Sequence, residues 1–162
     1  MARKGPAKPT PRKSDGTVVR NRRATFNYEI IERFEAGIVL SGSEIKSIRE
    51  GKVDIQGAYA RFIKGELWLH DMNIAPYAHA GYTPHDPRRD RKLLLHKREI
   101  RHLSELIQQK GLTIIPLRLY LKGGRAKVEL GVGRGLKKYD KRQKIKEREE
   151  SRQVARLLRH SA

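Results

Sequence analysis

Four cationic side chains lie within five consecutive residues, at Arg88, Arg89, Arg91 and Lys92. Like charges at this spacing repel one another, and only two aspartates stand beside them. The cluster therefore predicts contact with an external anion, and the phosphates of an RNA backbone are anions that arginine and lysine commonly neutralise. The alternative is that the cluster forms a solvated basic edge of a strand.

The other polar side chains form no catalytic or metal-binding pattern. The chain has no cysteine, so disulfides and thiolate chemistry are excluded. The acids at Glu35, Glu44 and Glu66 are not grouped, and no activated nucleophile can be recognised. None of the histidines has metal-ligand spacing, and we expect them at the surface or beside RNA: His70, His79, His85, His96, His102 and His160. The sequence therefore predicts no enzyme, no metal site and no cofactor.

Two further features have both a functional and a structural interpretation. Tyr77 and Tyr82, close to the basic cluster, could stack on RNA bases or belong to the core. The glycine-rich segment 131–135 follows a predicted strand but matches neither common phosphate-binding pattern. We interpret this segment as a flexible exit from the last strand.

The net charge of +19 is concentrated at the two ends of the chain. Residues 1–23 and residues 134–162 each carry +7, whereas the 110 residues between them carry only +5. A nearly balanced body with a basic arm at each end is typical of a protein that binds a polyanion. RNA is the polyanion that we expect.

Length and hydropathy predict one soluble cytoplasmic domain that does not enter a membrane. A chain of 162 residues is long enough for one domain with a real core. The N-terminus lacks the apolar segment of a secretory signal, and no run approaches the roughly 18 apolar residues of a membrane span.

Periodicity predicts strands and one short helix in the first half of the body. Residues 1–20 contain three prolines and few apolar residues, so we expect a disordered arm, with the body beginning at Asn21. The first predicted element is a strand from residue 28, with a bend at Ala36-Gly37, after which residues 38–40 are either its continuation or its partner strand. A helix capped by Ser43 that ends at Glu50 and a hairpin over 58–69 follow.

The second half predicts a loop over 78–90, a helix over 96–109 and a hairpin that turns at Gly123-Gly124. Alternating apolar and polar residues in these strands indicate an antiparallel sheet with one buried face. We therefore predict a mainly β fold with peripheral helices, as a closed or nearly closed barrel. The oligonucleotide-binding barrel is the commonest such plan, but periodicity alone does not select it.

The basic tail at residues 134–162 has an unusual composition. Asp140 is a plausible N-cap, and residues 141–160 contain neither proline nor glycine. Apolar residues are few, and an isolated helix of this kind is marginal in water. Our hypothesis is that the tail is disordered when free and helical when bound to RNA.

Five sequence blocks, in collinear order, resemble the small protein B family, the SsrA-binding or tmRNA-binding proteins of bacteria. The resemblance covers about residues 21–148. The blocks are Asn21-Arg22-Arg23-Ala24, Phe34-Glu35-Ala36-Gly37, Gly42-Ser43-Glu44-Ile45-Lys46-Ser47-Ile48-Arg49, Arg91-Lys92-Leu93-Leu94-Leu95 and Tyr139-Asp140-Lys141-Arg142.

The resemblance implies an oligonucleotide-binding-type β-barrel over 21–133 and a tail over 134–162. It implies that the protein binds the tRNA-like domain of tmRNA and delivers it to stalled ribosomes for trans-translation, without acting as a catalyst. The implied partners are tmRNA, the ribosome and, through aminoacylated tmRNA, elongation factor Tu. The tail would occupy the empty decoding site and the mRNA channel.

The resemblance also implies two sets of binding residues. Lysine and arginine at these positions can neutralise phosphates, whereas Glu35 can accept hydrogen bonds from a base or a ribose, and Leu93 can pack against a base or support the surface. With Arg88 added from the basic cluster, the predicted tmRNA set is Asn21, Arg22, Glu35, Lys46, Arg88, Arg91, Lys92 and Leu93. The decoding-site set is Lys137, Lys138, Tyr139, Asp140, Lys141 and Arg142.

One position departs from the family pattern, because Leu136 stands where the family usually has lysine after glycine. Two other functions stay open at this stage. A basic ribosomal or ribosome-assembly protein would also have basic arms but would stay on the ribosome permanently. An RNA-modifying enzyme would need an acid and base group that the sequence does not indicate.

Overall fold

The computed structural model of the chain describes residues 16–79 and 84–161. The predicted disorder of residues 1–15 and the stacking role of Tyr82 therefore lie outside the described residues. The strands in these ranges are β1 (Gly16–Arg20), β2 (Tyr28–Ile38), β3 (Val53–Asp54), β4 (Tyr59–Ile63), β5 (Glu66–His70), β6 (Asn73–Ile74), β7 (Arg91–Leu94), β8 (Thr113–Lys122) and β9 (Arg125–Gly135). The helices are α1 (Arg22–Asn27), α2 (Gly42–Arg49), α3 (Lys97–Lys110) and α4 (Lys138–His160).

The strand pairings of the large sheet close into a circuit. In order, β8 pairs with β4, β4 with β5, β5 with β7, β7 with β2, β2 with β9, and β9 with β8, always antiparallel. Strand β1 adds to β8 beside β4, while β3 and β6 form a separate two-stranded sheet. The predicted mainly β fold with helices is confirmed.

The main core lies on one face of this sheet. In β8, buried Leu119 and Leu121 of this core alternate with Arg118 and Tyr120, as the predicted two-sided strand requires. Leu117, at a register shift between Pro116 and Arg118, packs instead in a second, smaller cluster with Ala24 and Ile115. Each fully buried side chain of this size contributes about 1.5–3 kcal/mol relative to an exposed one. Two helices each contribute a fully buried apolar residue, which fixes them against the sheet: Ile48 of α2 and Leu103 of α3.

Several predicted elements are confirmed with small changes at their ends. The helix predicted over 96–109 is α3, and it ends at Gly111 in the left-handed conformation. The hairpin predicted over 58–69 is β4–β5. The second hairpin is β8–β9, and both of its turn residues, Gly123 and Gly124, have positive φ angles of 59° and 76°.

The prediction of disorder through residue 20 is wrong for Gly16–Arg20, which form β1. This strand pairs with β8 from Gly16–Leu121 to Arg20–Arg118. Val18 and Val19 pack against the core. All three prolines precede residue 12, so they do not oppose a strand at residues 16–20.

Two further corrections concern the start of the body. The sequence reasoning missed α1, a short helix that lies between β1 and β2. The bend predicted at Ala36-Gly37 is wrong, because β2 continues through both residues. Ala36 pairs with Val128 of β9 and is fully buried, so the ladder itself holds this segment extended.

Two helix starts also differ from prediction. Helix α2 is capped by Ser41 rather than Ser43, in a capping box in which Glu44 Oε2 accepts a hydrogen bond from Ser41 N at 2.9 Å. In α4 the N-cap is Lys137, and Asp140 lies in the first turn, where its Oδ2 accepts from Lys137 N at 3.3 Å.

The prediction of a flexible exit over residues 131–135 is wrong, because β9 continues to Gly135. Gly133 is required by packing. A Cβ atom on Gly133 would lie 2.1 Å from the carbonyl oxygen of Glu29 on the neighbouring strand, so only glycine allows β2 to approach this closely.

Candidate nucleic-acid interface

One arginine of the basic segment at residues 88–92 lies in the protein interior. Arg91 is fully buried. Its Nε donates to Glu44 Oε1 at 3.0 Å, and its Nη1 and Nη2 donate to the carbonyl oxygens of Met72 at 2.9 Å and Pro87 at 3.1 Å. The predicted phosphate contact of Arg91 is therefore wrong, because an RNA cannot reach this side chain.

Arg89 pairs with the same carboxylate through two hydrogen bonds. Its Nε and Nη2 donate to Glu44 Oε1 and Oε2, each at 2.7 Å. Burial opposes ionisation of Glu44, but hydrogen bonds from Arg89, Ser41 N and Arg91 outweigh it and lower the pKa of Glu44 to about 2. We call Glu44, Arg89 and Arg91 the Glu44 clamp, and it joins α2 to the start of β7 and to the segment before it.

The two outer cations of the segment remain available to different degrees. Arg88 is exposed. Lys92 Nζ lies 2.8 Å from Glu66 Oε1, and the Lys92 side chain is 37% exposed. The inference of an external anion is wrong for Arg89, Arg91 and Lys92 as a necessity, because Glu44 and Glu66 supply their partners from distant parts of the chain. Contact of Arg88 and Lys92 with RNA stays a prediction.

Two other predicted contact residues are buried and serve the fold. Leu93 is 1% exposed and lies in the core. The prediction that Leu93 packs against a base is therefore wrong, and the alternative that it supports the surface is the one that fits its burial. Asn21 is 6% exposed. Its Oδ1 accepts from Ala24 N at 3.1 Å and caps α1, and its Nδ2 donates to Pro116 O at 3.0 Å. Asn21 therefore positions α1 and its exposed arginines, and its own contact with tmRNA stays a prediction.

Lys46 lies on the exposed face of α2, where it is free to meet a phosphate. Its Nζ lies 5.5 Å from the centre of the Tyr77 ring, a cation–π distance. The loop beside it is held by His85, whose Nδ1 lies 2.9 Å from Ser43 Oγ and whose Nε2 lies 3.0 Å from Ile74 O. The contribution of Tyr77 to base stacking stays a prediction.

A second concentration of positive charge, which sequence reasoning missed, surrounds a cleft of about 240 Å³ beside α1. Its arginines are up to 98 positions apart, so no local window of sequence contains them. One signal was available: Arg118 alternates with buried leucines and so had to face outward. We call this feature the arginine cleft; its charged lining is Arg20, Arg22, Arg33, Arg118 and Glu129.

Glu35 lies next to this cleft on β2. It accepts a hydrogen bond from the Tyr120 hydroxyl, and the Arg118 guanidinium lies 4.6 Å from the centre of the Tyr120 ring. The Tyr120 hydrogen bond and the positive charge of Lys122 outweigh a small effect of burial and lower the pKa of Glu35. Glu35 is therefore an ionised acceptor at the surface, beside the cleft that Arg22 lines.

The predicted decoding-site residues form the junction between body and tail. Lys137, Lys138, Tyr139, Asp140 and Arg142 are exposed, and Tyr139 is 74% exposed. Helix α4 has no buried residue. Its described hydrogen bond to the body runs from Lys144 Nζ to Thr25 O of α1, at 2.9 Å.

No group of three or more histidine and acidic side chains could hold a metal within residues 16–79 and 84–161. His70 departs from the expected surface position, because it is buried with its Nδ1 2.8 Å from Asp90 Oδ1. No helix in the described part of the chain is long and apolar enough to cross a membrane.

The family model described as SmpB protein matches residues 18–160. The chain belongs to the SmpB family. The match begins within β1 and ends at the last residue of α4, so the SmpB match includes both the sheet and the basic tail.

Similar sequences carry the description SsrA-binding protein. One from Chloroflexus aurantiacus is 54% identical over 94% of this chain and 96% of its own length. One from Synechococcus is 57% identical over 88% of this chain and 93% of its own. One from Latilactobacillus sakei is 48% identical over 98% of this chain and 99% of its own length.

A chain in a solved structure is also similar to this chain. It comes from work described as "tmRNA-SmpB: a journey to the center of the bacterial ribosome". It is 55% identical, covers 74% of this chain and 85% of its own, and superposes with a TM-score of 0.62.

Proposed function

We propose that this chain binds the tRNA-like domain of tmRNA and delivers it to stalled ribosomes for trans-translation. The observation that carries the proposal is the SmpB match over residues 18–160, together with relatives about half identical that are described as SsrA-binding proteins. The net charge of +19 supports an RNA partner. The proposal assigns no catalytic step to the chain, and it places its action in the cytoplasm.

The body is proposed to be an oligonucleotide-binding-type barrel that carries the tmRNA-binding surface. The closed antiparallel circuit of the sheet supports a barrel of this class. The residues of the predicted set that remain accessible are Arg22, Glu35, Lys46, Arg88 and Lys92.

The tail is proposed to act on the ribosome rather than on tmRNA. A helix that buries none of its residues is held by little besides its own hydrogen bonds, so we propose that it is disordered when free and helical in the mRNA channel. The six predicted decoding-site residues would enter the empty decoding site. Elongation factor Tu would join through aminoacylated tmRNA.

A truncation separates the two proposed activities. The body should end after Leu136, not at residue 133, because β9 pairs with β2 through Gly135 and Leu136 N donates to Asn27 O at 2.8 Å. The truncated chain should bind the tRNA-like domain of tmRNA nearly as well as the full chain, and peptide tagging on stalled ribosomes should be lost. Loss of both activities in a folded truncation would contradict this division.

A pair of substitution variants in the full chain sharpens the test. Alanine at Asp140, Lys141 and Arg142 should abolish tagging. Alanine at Glu149, Arg152 and Arg156 makes the same change in net charge further along the exposed helix and should have a smaller effect. Permanent association with ribosomes in the absence of tmRNA would instead favour a basic ribosomal or ribosome-assembly protein.

A further inference from the structure

The arginine cleft brings four guanidinium groups together with a single carboxylate. Arg20 ends β1, Arg22 begins α1, Arg33 lies on β2 and Arg118 on β8. Uncompensated charge of one sign around a cleft attracts a ligand of the other sign, and the low-dielectric walls of a cleft strengthen that attraction.

Glu129 holds two of the four arginines in place. Its Oε1 accepts from Arg33 Nη1 at 3.0 Å, and its Oε2 accepts from Arg118 Nε at 2.6 Å. Arg118 Nη1 also donates to Thr17 Oγ1 at 3.2 Å. The Arg33 side chain is nevertheless 60% exposed and that of Arg118 is 36% exposed. The carboxylate therefore orients both groups without removing them from solvent.

The other two arginines are unpaired. Within the described ranges, neither the Arg20 nor the Arg22 side chain has a hydrogen bond or an ion pair, and both residues are exposed. Their backbones are fixed, because Arg20 pairs with Arg118 across the strands and Asn21 between them is buried. The cleft is thus a preformed cationic site with unused donors.

We propose that the arginine cleft binds phosphate groups of an RNA backbone, with Arg33 and Arg118 held in position by Glu129. A guanidinium presents paired N–H donors in a planar fork that matches a phosphate. The cleft continues directly to Glu35 through Arg118 and Tyr120, so one RNA segment can contact both. This inference rests on the proposed function, and the RNA we name is the tRNA-like domain of tmRNA.

The test compares two double substitutions that remove the same charge. Arg33→Gln with Arg118→Gln removes the two oriented arginines of the cleft. Arg98→Gln with Arg101→Gln removes two exposed arginines from α3, outside the cleft lining. The affinity of each full chain for the tRNA-like domain of tmRNA is measured at several salt concentrations.

The cleft variant should bind at least about tenfold more weakly at low salt, because glutamine has neither the positive charge nor the paired N–H donors of a guanidinium. Its slope of log affinity against log salt should fall by about 0.7–0.9 for each phosphate that the variant no longer neutralises. The affinity and the salt slope of the α3 control should stay close to those of the unsubstituted chain. Equal reductions of affinity in the two variants, or an unchanged cleft variant, would overturn the proposal.

A second cleft variant guards against loss of structure. Arg20→Gln with Arg22→Gln breaks no described ion pair, so it should fold normally and show the same reduced salt slope. An unchanged slope in this folded variant would also overturn the proposal. An unrelated RNA hairpin of similar length serves as competitor. If the unsubstituted chain does not prefer tmRNA, the proposed function fails, while the comparison of cleft and α3 variants still tests the cleft with either RNA.

Discussion

The Glu44 clamp and the arginine cleft use the same pair of groups, arginine and glutamate, in two different environments. In the clamp, the carboxylate of Glu44 and the guanidinium of Arg91 are completely buried. In the cleft, Glu129 is 19% exposed and its partner arginines are 60% and 36% exposed. The clamp satisfies its charges internally and stabilises the fold, whereas the cleft leaves cationic charge for a ligand.

The comparison teaches that density of charge along the sequence does not indicate availability of charge at the surface. The clamp arginines belong to the densest basic run of the body, yet Arg91 is inaccessible. The cleft arginines are dispersed along the sequence, yet the sheet brings them together. Which cluster meets an anion depends on where the acids of the fold lie.

The largest expected effect is on stability, when the clamp loses its carboxylate. Glu44→Gln leaves Arg91 charged and unpaired in the interior and should lower the free energy of unfolding by about 3–5 kcal/mol. The matched control is Glu66→Gln, which breaks the exposed pair with Lys92 and should cost about 0–1 kcal/mol. Denaturant unfolding measures both. Equal costs would remove the distinction between a buried and an exposed pair.

Acid should weaken the clamp in a defined pH range. The pKa of Glu44 is lowered to about 2 in the folded chain, from an ordinary value near 4.5 in the unfolded chain. Its contribution, about 3 kcal/mol, is therefore present above about pH 4.5 and is lost as the pH falls towards 2. Unfolding experiments between pH 5 and 2 should show this fall in the free energy of unfolding. The Glu44→Gln variant should lack the part of the fall that Glu44 causes. An identical fall in the variant would mean that other carboxylates cause it.

The smallest stability effect is expected in the cleft. Burial opposes ionisation of Glu129, but hydrogen bonds from Arg118 and Arg33 outweigh it and lower its pKa. Because its partners are exposed, Glu129→Gln should cost less than about 1 kcal/mol of unfolding free energy. A loss as large as that of Glu44→Gln would show that the cleft, like the clamp, is mainly a structural device.

Local patterns predicted much of the fold. Alternation and turn residues predicted both hairpins, and helical spacing with Gly111 predicted α3. The misses have physical reasons. Strand β1 depends on pairing with β8, which is about 100 residues away, and the Asn21 cap of α1 is held by its hydrogen bond to Pro116 O, 95 residues away. Such long-range contacts leave no periodic signal in a short window.

The candidate site was less predictable than the fold. Residue type identified Lys46 and Arg22 as exposed cations, and the structure agrees. Residue type could not distinguish Arg91 from Arg88, because only the position of Glu44, 47 residues earlier than Arg91, decides which of them is buried. The resemblance to a family named candidate segments, but it could not say which of their side chains are buried and which are exposed.

The most direct test of the two-cluster account is an NMR spectrum of the arginine Nε–H groups, recorded with and without the tRNA-like domain of tmRNA. Single substitutions assign the signals. The account predicts that the signals of Arg20, Arg22, Arg33 and Arg118 shift on binding, while those of Arg89 and Arg91 stay where they are. Shifts confined to Arg89 and Arg91, with the cleft signals unchanged, would contradict it.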